Sequence, residues 1–404
     1  MKVENEALPE NWELIDIGKI LNVSTGSKNA QDSKVDGKYP FFTRSVNTQR
    51  IDCYSYDDEA LLLAGEGIFI VKYYKGKFDV HQRTYIITAK KKNVSLKFLQ
   101  NQIQSKIERL VNTSVGSTVQ SLRKPIIQNL KIPLPPLSEQ QKIADILSTV
   151  DEKIEVIDQQ ITATEEFKKG LMQRLLTKGI GHTEFKDSPI GKIPRSWEVK
   201  KLIDSDLELE DGDRGNNYPK SKDFKDSGYC LFLSAKNVTK EGLKFSTTQF
   251  INKEKDSKLR KGKLKVNDLV ITTRGSVANI GLYDDDSIYQ NVRINSGMAI
   301  IRDGKKTYDI QFLYYFFKSD SMNLQIESLV SGSAQPQLTI KGLKSLKIPV
   351  LSKGEQEEIA EILSNIDSKL NIQHSKLKSY QQLKKALMQQ LLTGKVRVNN
   401  LIEA

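Results

Sequence analysis

The run Leu130-Lys131-Ile132-Pro133, followed by Glu139-Gln140, Ile143-Ala144 and Ile146-Leu147-Ser148, returns 216 residues later as Leu346-Lys347-Ile348-Pro349, Glu355-Gln356, Ile359-Ala360 and Ile362-Leu363-Ser364. The match runs without a gap from Gly116 to Thr177 and from Gly332 to Thr393. It closes on Lys168-Lys169, Leu171-Met172-Gln173 and Leu175-Leu176-Thr177 against Lys384-Lys385, Leu387-Met388-Gln389 and Leu391-Leu392-Thr393. Self-similarity of this kind marks a duplicated unit. A shorter echo, Leu8-Pro9-Glu10-Asn11-Trp12-Glu13 against Ile193-Pro194-Arg195-Ser196-Trp197-Glu198, has an offset of 185, so the second variable interior is longer than the first by 31 residues. The halves share ends and not middles, the pattern expected of two binders of two different targets.

The repeated segment predicts a long helix. Ile143, Leu147, Val150, Ile154, Ile157 and Ile161 recur at spacings of four and three, Phe167, Leu171 and Leu175 continue after a slip, and no proline interrupts. In the second copy Leu363, Ile366, Leu370, Leu377, Tyr380, Leu383, Leu387 and Leu391 trace the stripe, with Gln373 and His374 breaking it. Ser138 with Gln141, and Ser352 with Glu355, form capping boxes; Gly179 and Gly394 supply terminators. About 39 residues per helix correspond to roughly 58 Å. If a compact domain follows the first helix, the second can share its seam only by running back antiparallel. The alternative is that each stripe merely covers the core of a neighbouring domain.

The interiors, residues 1–137 and 182–351, mix short strands with a few short helices. Glu59 to Leu63, Gly67 to Val71, Thr84 to Thr88, Leu269 to Thr273 and Met298 to Ile301 are strand candidates. Phe98 to Leu110 and Ile310 to Phe317 read as helices preceding Gly-Ser turns at Gly116-Ser117 and Gly332-Ser333. The fold class is α+β.

The 404 residues carry a formal charge of +12 and 38% hydrophobic side chains, enough for more than one core. Residues 139–177 sum to −3 and residues 355–393 to zero, which leaves +15 on the rest and points to a polyanionic partner. No apolar run is long enough to cross a bilayer and the start is polar and acidic, so a cytoplasmic location is expected. Cys53 and Cys230 are too few for a disulfide framework and read as core fillers.

Several turns combine guanidinium, amide and hydroxyl groups, the side chains that contact phosphates and base edges. In the first interior these are Arg44 and Ser45 with Asn47 and Arg50, then Lys75 after Tyr73-Tyr74, then Gln82-Arg83 beside His81. In the second they are Lys236-Asn237, Thr273-Arg274 with Ser276, and Asn291 with Arg293. One polar turn alone is more often a solvated loop; the charge excess and the four arginines in amide-rich turns set the group apart. Phosphate-binding loop, dinucleotide fingerprint and amino-methyltransferase loop patterns are missing, and His81, His182 and His374 stand apart from any metal-ligand spacing. Asp57-Asp58-Glu59 and Asp284-Asp285-Asp286 read as hydrated turns.

These repeats, the Pro-x-x-Trp openings, Tyr39-Pro40-Phe41-Phe42 with Gly65-Glu66-Gly67, and Asn267-Asp268-Leu269-Val270-Ile271-Thr272-Thr273-Arg274-Gly275 together resemble the specificity subunits of Type I restriction-modification systems. Val350-Leu351-Ser352-Lys353-Gly354 departs from the fuller proline run of the first copy. The resemblance implies two globular α/β target-recognition domains, 1–137 and 182–351, separated by two long antiparallel coiled-coil helices in a pseudo-two-fold repeat, the spacer helices lying in 138–181 and 352–404. Each domain would read half of a split, asymmetric double-stranded DNA target, and the helices would bind two modification (methyltransferase) subunits, joined by restriction (nuclease/translocase) subunits. No cofactor or metal is expected in this chain; S-adenosylmethionine, ATP and Mg2+ would belong to the partner subunits. The rival readings are a stand-alone architectural or repressor-like DNA-binding protein and a self-contained nuclease.

Overall fold

A computed structural model describes residues 8–107, 121–285, 288–330 and 336–402. The two expected Gly-Ser turns lie outside the described residues. The repeat forms two long helices, α1 (Leu137–Lys178) and α2 (Lys353–Leu391). The chain divides into two compact units, unit 1 comprising residues 1–159 and 374–404 and unit 2 comprising residues 160–373. Each unit therefore contains a globular part, the start of one long helix and the end of the other.

Within each unit the pairing is antiparallel and repeats itself. In unit 1 Asp151 of α1 binds Lys384 of α2 at 2.5 Å; in unit 2 the repeat-equivalent residues, Lys168 of α1 and Asp367 of α2, form the same ion pair. The predicted stripe is buried at Ile143, Leu147, Val150, Ile157 and Ile161 and at Leu363, Leu370 and Leu391. Two of its expected members are exposed, Phe167 at 60% and Leu383, its equivalent, at 46%. The slip in the heptad spacing rotates both away from the seam.

Helix ends follow the predicted chemistry in part. The Ser352 hydroxyl accepts from the Glu355 amide at 3.3 Å and caps α2. α1 begins at Leu137, so Ser138 lies inside the first turn instead of capping it. Gly179 and Gly394 end the helices at φ +63° and +75°, a conformation that only glycine adopts at low cost.

Glu355 does not complete the box with Ser352, because its carboxylate, like that of Glu139 at the start of α1, is engaged elsewhere. Glu139, nearly fully buried, accepts the Trp12 indole N–H at 3.0 Å and the Arg397 guanidinium at 2.8 and 2.9 Å. Glu355 accepts the Trp197 indole N–H at 3.0 Å, the Ile180 amide at 3.1 Å, and contacts His182 Nε2 at 2.8 Å. The glutamine that follows clamps the globular part. Gln140 accepts from the Ser95 amide at 2.9 Å and Gln356 from the Asp309 amide at 2.8 Å, Ser95 and Asp309 being the residues that cap the helices Leu96–Ser105 and Ile310–Phe317. The Pro-x-x-Trp and Glu-Gln signatures are thus two sides of one joint.

In unit 1 a six-stranded sheet has the order Leu21–Thr25, Thr84–Ala89, Tyr56–Ala64, Val71–Val80, Tyr39–Phe42, Gln49–Ile51. All pairs are antiparallel except that of Tyr39–Phe42 with Val71–Val80. The strand Tyr56–Ala64 is buried on both faces: Leu61 and Leu63 pack with Phe98 and Leu99, while Ala60 and Leu62 pack with Phe78 and Val80. A strand covered on both faces reads as a continuous apolar run. The expected strand at Gly67 to Val71 starts only at Val71. In unit 2 a four-stranded sheet runs Glu208–Asp211, Met298–Arg302, Asp268–Thr272, Ile280–Tyr283, and a three-stranded one runs Phe250–Ile251, Cys230–Leu233, Val292–Ile294. Cys230 is buried, and burial pushes its thiol up to about 12. Cys53 is exposed, contrary to expectation, because it follows an edge strand.

Candidate nucleic-acid interface

Both units build the same turn after a doubly covered strand, Tyr56–Ala64 in unit 1 and, in unit 2, Asp268–Thr272, whose Leu269 and Ile271 lie in one core and Val270 in another. In unit 1 the Gly65 amide donates to the Arg83 carbonyl at 2.9 Å and the Gly65 carbonyl accepts from the Leu122 amide at 2.8 Å. In unit 2 the Thr273 amide donates to the Gly297 carbonyl at 2.8 Å and its carbonyl accepts from the Leu338 amide at 2.9 Å. Glu66 bridges Ser121 and Arg274 bridges Gln337, two partners one repeat offset of 216 apart. The opposing turns also match: His81 Nδ1 accepts from the Arg83 amide at 3.0 Å, and Asn295 Oδ1 from the Gly297 amide at 2.8 Å. Glu66 and Arg274 are therefore equivalent positions on equivalent backbones, as are Arg83 and Gly297.

The side chains on that frame differ. In unit 1 Arg83 Nη1 donates to both Glu66 oxygens at 2.9 Å and Arg44 Nη1 donates to Glu66 Oε2 at 3.1 Å, with both arginines about half exposed. The hydrogen bonds of Arg83 first, then its charge and that of Arg44, hold the Glu66 carboxyl below the usual carboxylate range despite partial burial. Burial, with Arg44 and Arg83 nearby, pushes His81 down, consistent with a neutral ring whose Nδ1 accepts. Ser45 and Asn47 are exposed on the turn carrying Arg44, and Lys72 donates to the Ser45 carbonyl at 3.0 Å. Gln82 donates to Asn29 at 2.9 Å. Lys75 is exposed opposite Glu59 on the neighbouring strand, 3.9 Å away, and no contact joins it to the Arg44 cluster. Arg50 is committed to the fold, donating to the Gly37 and Lys38 carbonyls.

In unit 2 Arg274 and Ser276 are exposed on either side of Gly275, at φ +74°, and the Arg274 guanidinium has no hydrogen bond or ion pair with the described residues. Thr273 is buried beneath them, and its hydroxyl has no hydrogen-bond partner among the described residues. The Lys236-Asn237 turn is brought to this one by Asn279, which donates to the Val238 carbonyl at 2.9 Å. Lys236 is exposed there. Asn237 is buried, takes the Ser234 amide and donates to the Lys244 and Thr247 carbonyls. Asn291 is half-buried and its carbonyl accepts from the Leu231 amide at 2.9 Å.

Arg293 is not a surface residue. It is 6% exposed, paired with buried Asp256, and donates to the carbonyls of Asp256, Leu259 and Lys261. Each of its three nitrogens donates, so Arg293, like Asn237 and Arg50, holds its domain together. Sequence reading favoured donors and so passed over Glu66, which organises the unit 1 cluster; it also passed over Arg214, whose guanidinium reaches the Ser296 carbonyl at 3.1 Å beside the Asn295–Gly297 turn, because Arg214 is 82 residues away in sequence. No group of three or more metal-ligating residues occurs among the described residues, and no helix among them is long and apolar enough to cross a membrane.

A family model described as the Type I restriction modification DNA specificity domain matches residues 9–166 and 194–384. The chain belongs to this family. As a specificity subunit it acts in DNA sequence recognition and complex assembly. It is 31% identical to the Type I restriction enzyme MjaVIII specificity subunit of Methanocaldococcus jannaschii, over 98% of this chain and 95% of that one. It is 26% identical to the EcoDI specificity subunit of Escherichia coli, over 87% of this chain and 80% of that one. Among solved structures, the Type I S subunit from M. genitalium matches with a TM-score of 0.65 at 18% identity, covering 97% of this chain and 98% of that one. This last likeness is one of fold, and it extends over both recognition units of the specificity chain.

Proposed function

We propose that each unit of this specificity chain reads one half of a bipartite, asymmetric site in double-stranded DNA, and that the long helices dock two copies of one modification subunit. The observation that carries the reading is the equivalent turn in the two units bearing unlike side chains. Identical frames place the readers alike; different side chains make the half-sites differ. The surface arginines and lysines supply phosphate contacts and base-edge donors.

Docking is supported by the exposed apolar residues of the helices. Unit 1 presents Val156 of α1 and Leu383 of α2; unit 2 presents Ile372 of α2 and Phe167 of α1, their repeat equivalents. Two like patches fit two copies of one partner. The partners carry the adenine methyltransferase chemistry with S-adenosylmethionine, and restriction subunits supply nuclease and translocase activity with ATP and Mg2+. The chain itself contributes recognition without catalysis, in the cytoplasm.

Native mass spectrometry of the full chain with saturating modification subunit tests this. Two modification subunits per chain are expected, and Leu383→Glu should leave one. A single modification subunit bound to the parent chain overturns the symmetric platform.

A further inference from the structure

Glu66 and Arg274 occupy one position in two copies of the same turn, and they carry opposite charges. The equivalence rests on backbone hydrogen bonds, not on side-chain likeness: each residue follows the doubly covered strand, precedes a glycine with positive φ, and bridges the residue before an equivalent leucine, Leu122 or Leu338. The opposing residue differs as well, Arg83 in unit 1 and Gly297 in unit 2. A Cβ on Gly297 would lie 3.7 Å from Arg274 Cβ, in ordinary contact, so glycine there sets no side chain beside Arg274 where Arg83 binds Glu66.

Hydrogen-bond complementarity gives these differences a meaning. A guanidinium donates twice to guanine O6 and N7. A carboxylate only accepts, and the major-groove donors are the cytosine N4 and adenine N6 amines. Arg44 and Arg83 pre-orient Glu66 and are themselves half exposed, so carboxylate and guanidinium stand side by side, as the amine of a cytosine and the O6 and N7 of its paired guanine do. Ile68, 59% exposed just beyond Gly67, adds an apolar group to the same rim.

We propose that position 66/274 is the base-discriminating position of each recognition unit, Arg274 reading a guanine and Glu66, with Arg44 or Arg83, reading a C·G pair. This rests on the reading of each unit as a half-site binder. It names Glu66 as a specificity determinant and makes the charge reversal one source of the asymmetry of the target.

The test uses the full chain assembled with its modification subunits and a library of duplex DNA carrying a randomised central segment. DNA bound by the parent, by Glu66→Gln and by Arg274→Gln is sequenced, and base preference is compared position by position. Glu66→Gln keeps size and shape while converting a pure acceptor into a donor and acceptor. It should reduce discrimination on the order of tenfold at one C·G pair of one half-site and leave the other half-site unchanged. Arg274→Gln, at a side chain without a partner among the described residues, should do the same at one guanine of the other half-site, whatever happens to the fold of unit 1. Uniformly weaker binding with unchanged preferences would show that these residues only steer or position, and would overturn the assignment. So would loss of preference at several positions or in both half-sites. A parent that selects a bipartite site whose variants select the same site sinks this inference alone; a parent that selects no bipartite site sinks the half-site reading and the inference with it.

Discussion

Unit 1 and unit 2 solve the same structural problem with different chemistry. Both lock a tryptophan and a helix start together through a glutamate, nearly fully buried in unit 1 and partly buried in unit 2, but unit 1 closes the joint with Arg397, permanently charged and bidentate, and unit 2 with His182 and a backbone amide. Both support the reading turn with a side-chain acceptor, His81 in one and Asn295 in the other. Unit 2 adds a buried ion pair, Arg293–Asp256, at 7% side-chain exposure on each side. What is held constant is geometry at the joint and the turn. What varies is the donor or acceptor that achieves it.

The comparison can be broken most severely in unit 2. Arg293→Ala strips a buried carboxylate of its fork and leaves Lys263 as its remaining cation, so unit 2 should lose about 3–5 kcal/mol. Urea unfolding that reports no change in unit 2 would move Arg293 back to the surface set. Next come the two joints. Glu139→Ala should destabilise unit 1 by about 2–3 kcal/mol, since it removes a nearly fully buried carboxylate and leaves a partly solvated Arg397. Glu355→Ala should cost unit 2 about 1–2 kcal/mol, because its carboxylate is less buried. The chain has two tryptophans, one in each joint, so the fluorescence of a Trp197→Phe variant follows unit 1 alone and that of Trp12→Phe follows unit 2. Equal losses in the two units would erase the difference.

A smaller effect sharpens the comparison at the turn. The folded pKa of His81 lies below its ordinary value of 6.5, through burial and then the charges of Arg44 and Arg83. The unfolded chain therefore takes up the proton first, and the stability this ring contributes is present above that ordinary value and lost as pH falls through the folded one. His81→Asn, which installs the residue unit 2 uses, should flatten the acid limb of unit 1 stability between pH 7 and 5 in thermal melts, as an approximate window around that ordinary value. An unchanged limb assigns the pH dependence to another group. Smallest of all, Arg274→Gln should leave stability within about 0.5 kcal/mol while altering DNA preference.

Much of this frame was legible in the sequence because it is periodic. Spacings of three and four gave the long helices, and two offsets gave the repeat. The acidic residue of Glu139-Gln140 was visible as part of a motif, but its indole partner lies 127 residues away and its guanidinium 258, separations at which local pattern carries no information. The site was harder for another reason. Arg274 and Arg293 look alike as residues in polar turns, and only the packing of Asp256 and three carbonyls beneath Arg293 separates a fold-holding guanidinium from an exposed one without a partner among the described residues. Glu66 was hidden by its sign: a search for groups that attract a polyanion discards the carboxylate that holds two of them in place.

The joint at Glu139 has a consequence for synthesis of the chain. Its sheet, Trp12 and the first turns of α1 emerge from the ribosome early, yet the core they belong to also includes Leu391, Leu392 and Val398, and the carboxylate waits for Arg397. Unit 2 contains residues 160–373 and can close while the last part of α2 is still being made. The usual order, in which the N-terminal part of a protein folds first during translation, is thus inverted here: the half encoded first is completed last. Until then an apolar face and a buried-to-be carboxylate stand open, so nascent chains stalled before residue 391 should show a protease-resistant unit 2 beside a protease-sensitive unit 1.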